Sequence, residues 1–255
     1  MQSLLCRVWT RQKQLDFQSV AVFLNLCYGP VFHDGSSAGR PKENTDWLLL
    51  VMAERTIALF GGTFDPVHLG HTGVAQAAAV QIAAEKVIFI PAKCSPLKGF
   101  FPHAADEDRL AMIALAIAGN DLFAVSDREL KRPAPSYTLD TVRQFKGEYG
   151  QETSVHWLLG ADTVPDLVHW HKIRELIDAC NLTTMHRAGY PPPDFDQFEP
   201  LWGPERVAKL KCNVVETPRI DISSTEVRRR LAAGEDVAGM LHPDVIAYIR
   251  RRGLY

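Results

Sequence analysis

From Thr56 onward the chain alternates short, nearly continuous apolar runs with longer stretches whose apolar residues recur at helical spacing. Thr56–Phe60 (Thr-Ile-Ala-Leu-Phe) predicts a buried strand stopped by the paired glycines Gly61 and Gly62. Thr72–Ala84, rich in alanine and without a breaker, predicts the first helix. The same alternation gives strands at Lys86–Ile90, Leu122–Val125, Val155–Leu159, Leu182–His186 and Val214–Thr217. Helices are expected at Asp106–Ala118, Thr138–Tyr149 (capped by Ser136 or Thr138), Lys172–Ala179, Thr225–Ala233 and Pro243–Arg251, with a Pro-rich loop at Gly189–Asp194. Strands that alternate with helices predict an α/β fold: a parallel sheet with helices on both faces, and ligands at the carboxyl ends of the strands.

Residues 1 to about 53 carry no such period, and Gly29–Thr45 reads as loop. Met52 stands just before the first strand, so 1–53 is expected to be a poorly ordered extension or a mis-assigned start, and 54–255 the working domain. A cleaved targeting peptide is the rival; Arg7, Arg11 and Lys13 suit it, but no continuous apolar region with a cleavage site follows. A chain of 255 residues can bury a sizeable core, and a net charge of −2 points to neither a nucleic-acid nor a membrane-surface partner. The longest apolar runs, Val20–Leu26 and Trp47–Met52, fall far short of the roughly 20 residues of a membrane span. Five cysteines without a Cys-x-x-Cys pair fit reduced thiols and a cytoplasmic protein. His169 and His171 have no third ligand at metal-site spacing, so no protein-held metal is expected.

The chemistry concentrates in Gly61-Gly62-Thr63-Phe64-Asp65-Pro66-Val67-His68-Leu69-Gly70-His71, between the first strand and the first helix. Glycines let a ligand approach the backbone, a helix N-terminus offers N–H groups to an anion, and histidines three apart can aim at one place. The spacing matches neither the dinucleotide fingerprint nor the phosphate loop ending in Gly-Lys-Ser/Thr. A second phosphate-site candidate is Ile222-Ser223-Ser224-Thr225-Glu226-Val227-Arg228. Ser223 and Glu226 also suit a plain capping box; the functional alternative is a helix start receiving phosphate oxygens, with Arg228 as counter-charge and Arg229 and Arg230 solvated. Lys93 and Lys98 sit on the loop after the second strand, where an anionic substrate would lie. Gly160-Ala161-Asp162 follows the fourth strand, and Trp170, flanked by His169 and His171, offers an aromatic platform.

The His-x-Gly-His element resembles that of the nucleotidyltransferase superfamily. With Pro135-Ser136-Tyr137-Thr138, Gly160-x-Asp162, Arg187-Ala188-Gly189-Tyr190, Ile-Ser-Ser-Thr-x-x-Arg and terminal Gly253-Leu254-Tyr255, the chain from about Thr56 to Tyr255 resembles bacterial nicotinate mononucleotide adenylyltransferases. It has Ser95-Pro96-Leu97 where those enzymes often carry Pro-Pro-His. The resemblance implies a Rossmann-like fold and adenylyl transfer from ATP to nicotinate mononucleotide in NAD biosynthesis. It implies ATP contacts from Gly61, Gly62, Thr63, Phe64, His68, His71, Gly160, Asp162, Ser223, Ser224 and Arg228, with His68, His71 and Arg228 catalytic. Acceptor contacts would come from Lys98, Tyr137, Thr138, Trp170 and His171. Mg2+ would travel with ATP, held mainly by the phosphates. An acceptor phosphate is largely ionised at neutral pH, so alignment and donors suffice and no enzyme nucleophile is needed. The alternatives are a sister enzyme acting on nicotinamide mononucleotide or phosphopantetheine, a cytidylyltransferase, or a nucleotide-binding regulator without turnover.

Overall fold

A computed structural model describes residues 55–94, 101–187, 189–191 and 193–255. The expected extension at 1–53 and Lys98 therefore lie outside the described residues. Six parallel strands form one sheet in the order β3-β2-β1-β4-β5-β6: β1 Thr56–Gly62, β2 Lys86–Pro91, β3 Phe123–Val125, β4 Ser154–Gly160, β5 Asn181–Arg187 and β6 Val214–Thr217. The main helices are α1 Leu69–Gln81, α2 Asp106–Ala116, α3 Arg128–Lys131, α4 Thr138–Tyr149, α5 Ile173–Ala179, α6 Glu199–Trp202, α7 Pro204–Cys212, α8 Ser224–Ala232 and α9 Pro243–Arg252. This is the Rossmann-like α/β architecture.

Alternation along the strands divides the core between the two faces. Ile57 and Leu59 of β1 join Trp157 of β4 under α4, α5 and α7, through Val142, Phe145, Leu176 and Leu210. Ala58 and Phe60 face the other way, with Phe89 of β2, under α1, α2, α8 and α9, through Ala78, Met112, Val227 and Val245. Both faces are covered, which is why the central strands read as continuous apolar runs.

The boundaries differ from the expected ones where capping is unusual. Helix α1 begins at Leu69 rather than Thr72, because His68 and His71 themselves cap it. Helix α4 has Tyr137 at its N-cap and no side-chain cap, so neither Ser136 nor Thr138 plays that part. Helix α7 was not expected from the sequence, although Pro204 at its start and buried Val207 and Leu210 give it a helical pattern. Ala161–His169, between β4 and Trp170, is a 3-10 segment. No helix among the described residues is long and apolar enough to cross a membrane.

Candidate active site

The strand order reverses direction between β1 and β4, and the carboxyl ends of those two strands floor a cleft with two lobes. Phe60, Gly61, Gly62, Thr63, Gly160 and Thr163 line both lobes. The larger lobe, about 1000 Å³, is lined by every ATP-side residue expected from the sequence: Gly61, Gly62, Thr63, Phe64, His68, His71, Gly160, Asp162, Ser223, Ser224 and Arg228. The smaller, about 560 Å³, is lined by Tyr137, Thr138, Trp170 and His171, the expected acceptor side apart from Lys98.

His68 and His71 close the N-terminus of α1 reciprocally. The His71 backbone N–H donates to His68 Nδ1 at 3.3 Å, and the His68 N–H donates to His71 Nδ1 at 3.2 Å. Both rings accept at Nδ1, so in the neutral form each carries its proton on Nε2. The rings stack with centroids 3.6 Å apart. A Cβ on Gly70 would stand 2.9 Å from His68 Nδ1, so the glycine between the histidines makes room for the ring. Phe64 is 2 % exposed and packs against His71 at 5.0 Å, so it supports the imidazole from beneath.

Burial lowers the pKa of His68 from 6.5 to about 4, so the ring is neutral at physiological pH. The unfolded chain takes up this proton near pH 6.5 and the folded chain only near pH 4. Between those values the unfolded state binds more protons, so His68 makes stability fall as the pH drops through that window. His68→Asn, which still offers a capping oxygen, is expected to flatten the slope of melting temperature against pH between 6.5 and 4. An unchanged slope would assign the acid sensitivity elsewhere.

The second grip faces the first. Ser223 caps α8 by accepting the Glu226 N–H at 3.2 Å. The Glu226 carboxylate does not complete the box; it pairs with Arg229 and Arg230, which hold its pKa down to about 2. Ser224 Oγ donates to the Pro66 carbonyl at 2.9 Å, and Arg228 donates to the Asp65 carbonyl at 2.7 Å. The two motifs are thus joined directly across 158 and 163 residues of chain.

In the smaller lobe the Tyr137 and His171 rings stack at 4.1 Å. Trp170 is half-buried against the core, and its indole nitrogen is buried without a hydrogen-bond partner among the described residues. Beneath the lobe Glu129 is buried; burial raises its pKa, against the opposing pull of Thr141, Arg132 and Ser136. Ser136 in turn accepts the Lys93 N–H at 3.3 Å, so the loops after β2 and before α4 are tied together.

Sequence reasoning gave no site role to the far wall of the larger lobe, formed by Met185, His186, Arg187, Tyr190, Pro193, Thr217 and Ile220, although Arg187 and Tyr190 belong to a motif it singled out. The usable signal was position, since these residues follow the ends of β5 and β6 on the same edge as the motifs. It also missed Asp65, whose carboxylate is 3 % exposed and surrounded by donors.

The cytidylyltransferase-like family model matches residues 59–230. A relative from Chromobacterium violaceum, named probable nicotinate-nucleotide adenylyltransferase, is 38% identical over 207 residues, covering 78% of this chain and 98% of its own. Equally named relatives from Yersinia pestis (36% over 208 residues, 78% and 94% covered) and Moorella thermoacetica (35% over 206 residues, 81% and 94% covered) are similar to it as well. Among solved structures, the Plasmodium falciparum nicotinic acid mononucleotide adenylyltransferase complexed with NaAD has the same fold. Its TM-score is 0.61 at 20% identity, over 79% of this chain and 97% of that one.

Proposed function

The chain belongs to the nicotinate-nucleotide adenylyltransferases of the cytidylyltransferase-like family, and from that premise we infer how its cleft works. The protein is an enzyme of NAD biosynthesis that transfers the adenylyl group of ATP to nicotinate mononucleotide, releasing pyrophosphate and forming nicotinate adenine dinucleotide. The working domain is the stretch from residue 54 to 255. One observation carries the assignment of sides. The two lobes meet over Gly61–Thr63 and Gly160; the larger is lined by His68, His71, Arg187, Arg228 and the starts of α1 and α8, the smaller by Tyr137, Trp157, Trp170 and His171.

ATP occupies the larger lobe, with its triphosphate between the starts of α1 and α8, where N–H groups, the two Nε2–H donors and Arg228 receive its oxygens. The adenosine lies towards Arg187, Tyr190 and Ile220. The mononucleotide occupies the smaller lobe, its pyridine ring against Trp170 and its phosphate over the glycines, in line with the α-phosphorus. A phosphate oxygen of the acceptor then attacks the α-phosphorus and the bond to the bridging oxygen of the leaving pyrophosphate breaks. Donors already fixed in place stabilise the added charge, and no covalent enzyme intermediate forms.

Mg2+ suits this lobe as an ion carried by the phosphates. Of its two acidic side chains among the described residues, Asp65 is occupied by hydrogen-bond donors and only the exposed Asp162 is open to an ion. Bound there, the metal would offset charge on the triphosphate.

Pyrophosphate release from ATP with nicotinate mononucleotide, nicotinamide mononucleotide or phosphopantetheine in turn tests the reading; the nicotinate form is expected to be the preferred acceptor. His171 or a neighbouring N–H would read its carboxylate, since a buried anion without donors is costly. Trp170→Ala is expected to weaken acceptor binding by about 1–3 kcal/mol, the scale of a base–aromatic stack, while the KM for ATP stays near wild type. Equal losses for both substrates would make Trp170 a core residue only.

A further inference from the structure

Chain segments far apart in sequence converge on the Thr63–Pro66 turn. Arg109, which is 0 % exposed, donates NH1 to the Thr63 carbonyl at 2.7 Å. Arg228 and Ser224 hold the Asp65 and Pro66 carbonyls from α8. The remaining hold is on the Asp65 side chain. Its Oδ1 accepts the Ala104 N–H at 3.1 Å and the Tyr255 hydroxyl at 2.7 Å, and its Oδ2 accepts from the His103 backbone at 2.8 Å, with His103 Nδ1 at 3.2 Å. Arg228 NH1 stands 3.9 Å from the same Oδ2: near enough to be attracted, too far for a hydrogen bond.

Burial pushes the Asp65 pKa up, but the donors from Tyr255, His103 and Ala104 outweigh it and leave the group below its ordinary value. The carboxylate is therefore charged, and its charge is answered by donors from Tyr255, His103 and Ala104. That arrangement matters because a buried carboxylate beside Arg228 competes with a triphosphate for the same guanidinium. Each donor on Asp65 weakens that competition. Tyr255 makes the shortest of the contacts, and its hydroxyl is the only donor among them from outside the 103–104 segment. Without it Oδ1 would lose a partner where water cannot easily replace it, and the nearest permanently charged cation is Arg228, since the His103 imidazole at 3.2 Å is a cation only when protonated.

We propose that Tyr255 is a positioning residue for ATP: its hydroxyl fixes the Asp65 carboxylate and so keeps the charge of Arg228 available to the triphosphate. The proposal rests on the larger lobe being the ATP side.

Tyr255→Phe removes the hydroxyl and keeps the ring, which packs against the core beside Leu254. Calorimetric titration of ATP with Mg2+ and, separately, of nicotinate mononucleotide into wild type, Tyr255→Phe, Asp65→Asn and the double variant forms the test. Tyr255→Phe is expected to weaken ATP binding about tenfold, the scale of one charge-assisted contact, and acceptor binding less than about twofold. In the Asp65→Asn background, where no carboxylate competes, the same change is expected to cost less than about twofold for ATP. Unchanged ATP binding in Tyr255→Phe, equal losses for both ligands, or the same loss in both backgrounds would overturn the proposal. If Asp65→Asn does not fold, the split between ATP and acceptor in Tyr255→Phe decides. ATP binding needs no acceptor, so a wild type that binds ATP but does not turn over nicotinate mononucleotide counts against the functional reading alone. A wild type that binds no ATP overturns both.

Discussion

His71→Ala is expected to lower turnover by about a hundredfold or more, the usual effect of losing one donor fixed where charge develops. The geometry makes the imidazole hard to replace. Its Nδ1 accepts the His68 N–H, its ring is stacked on His68, and Phe64 packs against it, so its orientation is set before substrate arrives. Alanine also removes half of the reciprocal cap, which costs about 1 kcal/mol of stability. His71→Gln separates the two effects, because glutamine at this helix position can still accept the His68 N–H. The expected pattern is a melting temperature near wild type for His71→Gln, a modest drop for His71→Ala, and turnover lost in both. Near-normal turnover in either folded variant would remove His71 from the catalytic groups.

Much of this site was legible because its parts are local. The glycine turn, the histidines and the Ser223–Arg228 helix start are short stretches whose residue types state their own chemistry, and the strand-helix alternation fixed the edge on which they emerge. The cap of α1 was misread because helix starts are expected from Ser, Thr, Asp or Asn, and here histidines do that work. Contacts between distant segments left no trace at all. Asp65 looked like a turn residue, and nothing in its neighbours points to Tyr255, 190 residues away. The far wall of the larger lobe was hidden for the same reason: Ile220 joins the cleft only once β5 and β6 lie side by side.

Gly61 is the sharpest example, and Gly61→Ala is expected to harm both stability and acceptor binding. In the sequence it reads as half of a flexible turn, yet it belongs to β1, paired with Ile90 of β2. What requires glycine is space. A Cβ at Gly61 would stand 2.3 Å from Trp157 Cζ2 and 2.6 Å from Cη2. Trp157 is 5 % exposed and packed among the apolar residues of its face of the sheet, so its ring can yield in one direction only, into the smaller lobe that it helps to line. The alternative is movement of a central strand held by neighbours on both sides. Overpacking usually costs 1–3 kcal/mol, and a contact this short between a rigid ring and a central strand belongs at the top of that range, about 3 kcal/mol. For a domain of this size that is a fall of about 6–12 °C in melting temperature. An indole displaced into the smaller lobe is expected to raise the KM for nicotinate mononucleotide by about tenfold or more while leaving the KM for ATP less affected. Thermal unfolding and the two Michaelis constants measure both effects. A variant with wild-type stability and wild-type acceptor KM would mean that Trp157 has room to move, and that the floor of the cleft does not depend on the glycine.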